Sequence, residues 1–212
     1  MDDEFQLQSG EEDRFDLLPA NVPLLPLPEY CYSLETGKPF RFCIDCDEPL
    51  LLQKSEPLVP ESPDNSHYAL RMYGITKVIV GGEAVFELAL CLRCNDRLVQ
   101  RFSQESRAAI AEFIGSALHI PGPERIQSGD FSCFHCRRPK SSCHRYTIGM
   151  FCAGKHICAN APHVMICDAC ESEMAECLSK HTREEWDRFI EEHFDPTPGL
   201  GLDEPHRFPM II

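Results

Sequence analysis

The stretch LALCLRCNDRLVQRFSQESRAAIAEFI (residues 88–114) returns 76 positions later as VMICDACESEMAECLSKHTREEWDRFI (residues 164–190). Cys91 and Cys94 align with Cys167 and Cys170, Ser106 with Thr182, and Phe113 and Ile114 with Phe189 and Ile190. Two further Cys-x-x-Cys pairs, Cys43/Cys46 and Cys133/Cys136, precede the two copies. Two residues between cysteines let one tight turn present both sulfurs to a single tetrahedral ion. One pair supplies half a site. Taken in order, the pairs form two four-cysteine sites, with 44 residues between the pairs of the first and 30 between those of the second. Four such pairs in two matching units point to structural zinc, two ions per chain, rather than to redox chemistry.

The residues around each second pair set the architecture. After Cys94, Leu98, Val99 and Phe102 fall at helical spacing; after Cys170, Met174, Cys177 and Leu178 do. Before Cys91, YALRMYGITKVIVGGEAVFELAL alternates like a hairpin that turns at Gly81 and Gly82. Before Cys167, HRYTIGMF and HVMI are strand-prone around the looser CAGKHICANAP. The order knuckle, hairpin, knuckle, helix is that of a treble clef. A second helix follows in each copy, with Ser106 and Thr182 as expected N-caps and Glu185 at the capping-box position of the latter. Ile110, Phe113 and Ile114, and likewise Trp186, Phe189 and Ile190, form one apolar stripe per helix. Each stripe either seals its own unit or packs one unit on the other.

The expected fold class is therefore α+β: two tandem treble-clef units, residues 30–118 and 131–194, joined by a linker at 119–130. Each unit is too small for a large core and is held by metal. Because each site draws on its own half, loss of Cys91 or Cys167 is expected to weaken mainly its own unit. Residues 1–29, acidic and proline-punctuated, and residues 195–212, with four prolines and two glycines, read as disordered tails. Their apolar patches, FDLLP and FPMII, are either docking peptides or segments packed on the body.

The formal net charge is −14; residues 1–29 and 171–212 contribute −7 each, while residues 116–170 sum to +3. An acidic whole repels nucleic acid at long range. The candidate basic patch is Arg137, Arg138, Lys140, Arg145 and Lys155. The acidic start MDDEFQLQSGEED is unlike a signal peptide, and no apolar run reaches the roughly 20 residues that cross a bilayer. The expectation is a soluble cytoplasmic protein, in which thirteen cysteines serve metal better than disulfides.

The succession of pairs and hairpin resembles the treble-clef zinc-finger group, and ICDACESEMAEC is similar to the N-terminal zinc-binding domain of the bacterial Clp unfoldase. That resemblance implies docking of proteins with no chemistry at the metal. It covers about a dozen residues, and no Gly-x-x-x-x-Gly-Lys-Ser/Thr run accompanies it. ALCLRCNDRL is also similar to the second knuckle of His-Asn-His nucleases, which need a histidine base and further ligands. The first unit has only His67; the second has His144, His156, Asn160 and His163, with Glu171 rather than a histidine just after Cys170. Cys143, Cys152 and Cys158 with His156 and His163 form a candidate third metal cluster, or are buried small residues. Cys177 reads as helix packing. Two functions stay open: a non-catalytic zinc protein that binds another protein, and a zinc-dependent nucleic-acid binder in regulation or defence, with a degenerate nuclease behind them.

Overall fold

The computed structural model describes residues 22–51, 71–115 and 121–194. It is a mixed α/β fold built on one six-stranded sheet. β2 (Met72–Val80) and β3 (Glu83–Cys91) form the first hairpin. Its turn uses Gly81 and Gly82 at φ +61° and +92°, a backbone that residues with a Cβ rarely adopt. In the second copy β4 (Arg145–Ala153) pairs with β6 (His163–Cys167). The expected loose connection between them contains β5 (His156–Cys158).

The two copies meet at the middle of this sheet. β2 pairs antiparallel with β4 over nine residues, from Met72 opposite Ala153 to Val80 opposite Arg145. Tyr73 lies opposite Cys91 in the first hairpin and Tyr146 opposite Cys167 in the second, so Thr76 and Gly149 hold equivalent places, and they face each other. The register is that of an approximate twofold axis through this pair. β2 is consequently an inner strand, buried from Tyr73 to Ile79 without alternation. Even Lys77 is inside, paired with Glu87 at 2.9 Å, where the ion pair relieves the cost of desolvating either charge alone. Ile75, Leu88, Leu90, Met150, Met165 and Ile166 belong to one apolar core drawn from both copies.

The helices are α1 (Leu92–Arg101), α2 (Gln104–Gly115), α3 (Pro123–Ser128), α4 (Asp168–Glu176) and α5 (Lys180–His193). The starts of α2 and α5 correct the sequence reading. The N-caps are Ser103 and Ser179: their hydroxyls accept from the backbone N–H groups of Ser106 and Thr182, at 3.1 and 3.2 Å. Ser106 and Thr182 stand three residues in, and each reaches across to the other copy. Thr182 Oγ1 accepts from Ser103 N–H at 3.0 Å, and Ser106 Oγ from Ser179 N–H at 2.8 Å. In an ordinary capping box the third helical side chain satisfies its own N-cap; here the two copies exchange that service. Glu185 accordingly closes no box and pairs with Arg101 at 2.7 Å.

The second helices reach across as well. Phe113 of α2 stacks on His135 and meets Phe134 edge-on, both within the first knuckle of the second copy. In return, His193 of α5 lies 3.4 Å from Asp45 in the first knuckle of the first copy, and Phe194 packs on Phe86.

Two segments read as irregular are partly ordered. Leu24–Pro26, within the expected N-terminal tail, forms β1 against β5, with Leu24 opposite Cys158. β5 pairs with β4 along one edge, and its other edge supplies the partner that local composition does not reveal. Within the expected linker, α3 carries Pro123 in its first turn and ends at Gly129 with left-handed φ; it buries Ile126, whose carbonyl accepts from the Tyr30 hydroxyl at 2.5 Å. The FDLLP and FPMII patches and His67 lie outside the described residues.

Ser106 and Thr182 are fully buried, so truncating either leaves a part-buried N–H of the other copy without its acceptor. Ser106→Ala and Thr182→Ala should each cost about 1–3 kcal/mol in urea unfolding. One transition with an unchanged slope is expected; two separate transitions would contradict the exchanged caps.

Candidate metal centres

Each first knuckle is a tight turn closed by a short bridge, Phe42 with Pro49 and Ser132 with Pro139. Cys43 N–H donates to the Glu48 carbonyl and Asp47 N–H to the Cys43 carbonyl; Cys133, Arg138 and Arg137 repeat the pattern. The residue after the second cysteine turns left-handed in both, Asp47 at φ +56° and Arg137 at +64°. The knuckles are fastened to the sheet alike: Ile44 N–H donates to Ala89 and Phe134 N–H to Met165.

The second pairs open helices. Cys91 and Cys167 are the N-caps of α1 and α4, and Cys94 and Cys170 lie one turn in. Cys91 N–H points at Cys43 Sγ at 3.4 Å and Cys167 N–H at Cys133 Sγ at 3.5 Å, so the positive end of each helix faces a thiolate cluster.

Cys43, Cys46, Cys91 and Cys94 bring four sulfurs within 4.8 Å of one another, and Cys133, Cys136, Cys167 and Cys170 do the same. Sγ–Sγ separations of 3.8 Å for Cys46 and Cys91 and 3.6 Å for Cys136 and Cys167 match the edge of a zinc tetrahedron, about 3.8 Å for bonds of about 2.3 Å. Hydrogen bonds from Cys91 and Cys94 hold the Cys43 thiol well below its ordinary range. Burial opposes ionisation of Cys136, but the Arg138 backbone N–H and neighbouring thiols outweigh it and bring it to about 7. In the same sets hydrogen bonding with Cys43 holds the Cys91 and Cys94 thiols above their ordinary range, and burial does so for Cys167 and Cys170; the convergence of four sulfurs lets both sets coordinate zinc.

The surroundings differ between copies. Arg97 Nη2 donates to Cys94 Sγ at 2.9 Å and to Asp45 Oδ2 at 3.1 Å. Its place in the second copy is Glu173, so only the first cluster has an arginine one helical turn beyond its last cysteine. The spacing Cys94 to Arg97 was available in the sequence as a signal; Asp45 and His193 carried none, because they meet through the exchange of α5.

Among the described residues these two sets are the only groups of three or more Cys, His, Asp or Glu whose ligand atoms converge. The candidate third cluster is not brought together. Cys152 and Cys158 are fully buried, the former pushed well above its ordinary thiol range by burial and the latter to about 11. His163 is also buried, with Nε2 at 3.0 Å from the Cys158 carbonyl oxygen, and burial holds its pKa down. Cys143 is half-exposed beside Pro139, and His156 pairs in β5 with Ala153. Cys177 is exposed at the end of α4 rather than packed, and Cys31 is buried with its thiol on Met150 Sδ. Of the nuclease candidates, His144 and Asn160 are exposed while His163 is buried.

The basic patch is divided. Arg145 is drawn inside, 3.2 Å from Asp168 and 3.1 Å from Glu171. Lys140 donates to the Gly129 carbonyl. Arg137, Arg138 and Lys155 are exposed. Among the described residues no helix is long and apolar enough to cross a membrane.

Two zinc ions per chain are expected by native mass spectrometry of the reduced protein, with loss of cooperative folding on chelation; one ion or none would overturn the paired centres. A hydrogen bond to a metal-bound thiolate tunes its affinity, so Arg97→Ala should speed zinc release from the first centre by about ten-fold or more. Glu173→Ala should leave the second centre unchanged, as read by chromogenic chelator kinetics.

Compared with protein-family models, curated proteins and solved structures, the chain matches none. The likeness to the Clp module therefore rests on the residues around Cys167 and Cys170 alone.

Proposed function

We propose that the chain is a non-catalytic protein-binding adaptor whose fold is stabilised by two zinc ions in paired treble-clef units. The observation that carries this reading is ligand saturation. Each metal set offers four cysteines, and a closed four-thiolate site has no position for water or substrate, which a catalytic zinc keeps open. The order knuckle, hairpin, knuckle and helix, with the second knuckle opening α1 and α4, supports the treble-clef assignment.

The charge pattern favours protein over nucleic acid as partner. A net charge of −14 opposes phosphates at long range, and two carboxylates withdraw Arg145 from the candidate patch. In a cytoplasmic setting such a module would hold a partner by apolar surface and shape.

The test pairs two measurements. Cross-linking in the native cell, followed by mapping of the linked residues, should place a partner protein on the residues 71–194 body. Fluorescence anisotropy should find no binding of single- or double-stranded DNA or RNA at physiological salt. Micromolar binding that vanishes in the Arg137→Ser, Arg138→Ser, Lys140→Ser variant would install the nucleic-acid reading instead.

A further inference from the structure

The two copies differ at one place where the difference leaves a space. Met72 precedes Tyr73 as Arg145 precedes Tyr146, and the two tyrosines lie opposite the helix-opening cysteines. Met72 and Arg145 are therefore equivalent, as are Leu92 and Asp168, Asn95 and Glu171, and Val99 and Ala175. In the second copy Arg145 lies along α4 and fills this position: it is 8% exposed, with Nε 3.2 Å from Asp168 and Nη2 3.1 Å from Glu171. Glu171 is itself buried and accepts from the Thr147 hydroxyl at 2.5 Å. In the first copy the shorter, uncharged Met72 does not fill it. What remains is a groove of about 400 Å³ along α1, floored by Met72, Leu92 and Val99 and faced by Phe151 and Pro162 of the other copy. Leu92 and Asn95 take the places of Asp168 and Glu171, and the carboxylate at this groove is Asp96 on the exposed rim, which accepts from Gln100 Nε2 at 3.5 Å.

We infer that this groove is the docking site for a peptide segment of a partner protein carrying an arginine or lysine beside an apolar residue. The inference rests on the protein-binding reading above and names the chemistry of the partner. The second copy supplies the template: a long side chain with an apolar stem and a cationic head, laid on the helix that follows the knuckle. Such side chains bury the stem on apolar surface and keep the charged head at the wet rim, where an exposed carboxylate attracts it. In the first copy the stem would lie on Met72, Leu92 and Val99, and the head would reach Asp96. An acidic peptide or a nucleic-acid phosphate meets Asp96 and the field of a chain at −14, so charge selects against both.

The test uses the full zinc-loaded chain and two blocked hexapeptides, Ac-Ala-Leu-Arg-Leu-Lys-Ala-NH2 and its counterpart with glutamates in place of arginine and lysine. Amide chemical shifts are followed on titration. The basic peptide should give saturable shifts confined to the groove, at Met72, Leu92, Asn95 and Phe151, and should bind at least about ten-fold tighter than the acidic one. The variant Met72→Arg, Leu92→Asp, Asn95→Glu rebuilds the closed arrangement of the second copy, and should lose binding while keeping two zinc ions and one melting transition. Should that variant fail to fold, Asp96→Lys on the exposed rim decides: it should weaken the basic peptide and strengthen the acidic one. No saturable shift, shifts away from the groove, or equal binding of the two peptides would overturn the inference. The adaptor reading fails separately, if cross-linking in the cell maps no partner protein to the body at all.

Discussion

The antiparallel pairing of β2 with β4 joins the two copies into one molecule. Alone, the first copy has a two-stranded hairpin and the second three strands, each with two knuckles and two short helices, too little apolar surface to close a core. Nine paired residues about an approximate twofold axis turn two half-sheets into one, and bring the start of α2 beside the start of α5. From that juxtaposition follow the exchanged caps of Ser106 and Thr182 and the seating of each second helix near the other copy's knuckle. The metal sites remain local, four sulfurs from one copy each. Their supports are shared: His193 contacts Asp45, which in turn is held by Arg97 beside Cys94.

What was legible in the sequence was whatever depends on near neighbours. Cys-x-x-Cys pairs specify knuckles because two intervening residues close a turn, and the Gly81-Gly82 turn and the helical spacing after Cys94 and Cys170 are equally local. The caps of α2 and α5 were misplaced by one turn because Ser103 and Ser106, like Ser179 and Thr182, are all good cap residues; only the partner across the interface distinguishes them. β2 was read as alternating, whereas its position inside the sheet buries both faces. β1 was missed for the same kind of reason: LLP has no strand signal of its own and is held by the free edge of β5. The candidate third metal cluster failed because proximity in sequence put Cys152, Cys158 and His163 on different strands or strand ends, with no common focus.

Duplication explains the common plan, and divergence explains where the copies can act differently. Arg97 stands by one thiolate cluster and Glu173 occupies its place at the other. Arg145 closes one helix flank and Met72 leaves its equivalent as a groove. In both pairs the fold is unchanged and the local charge is not. The four-cysteine sets are thus fixed points of the fold, while the surfaces beside them differ between the copies.

Two four-cysteine sets with separate ligands support a single folding unit. Cys91→Ser removes a ligand from the first site and leaves all four sulfurs of the second in place. Hydrogen exchange of this variant, followed amide by amide, distinguishes one folding unit from two. Protection should fall in both copies, in β4 and α5 as well as in β2 and α1, because the shared sheet and exchanged helices transmit the loss. Loss confined to residues 71–115, with residues 131–194 as protected as before, would contradict it and restore two independent zinc units.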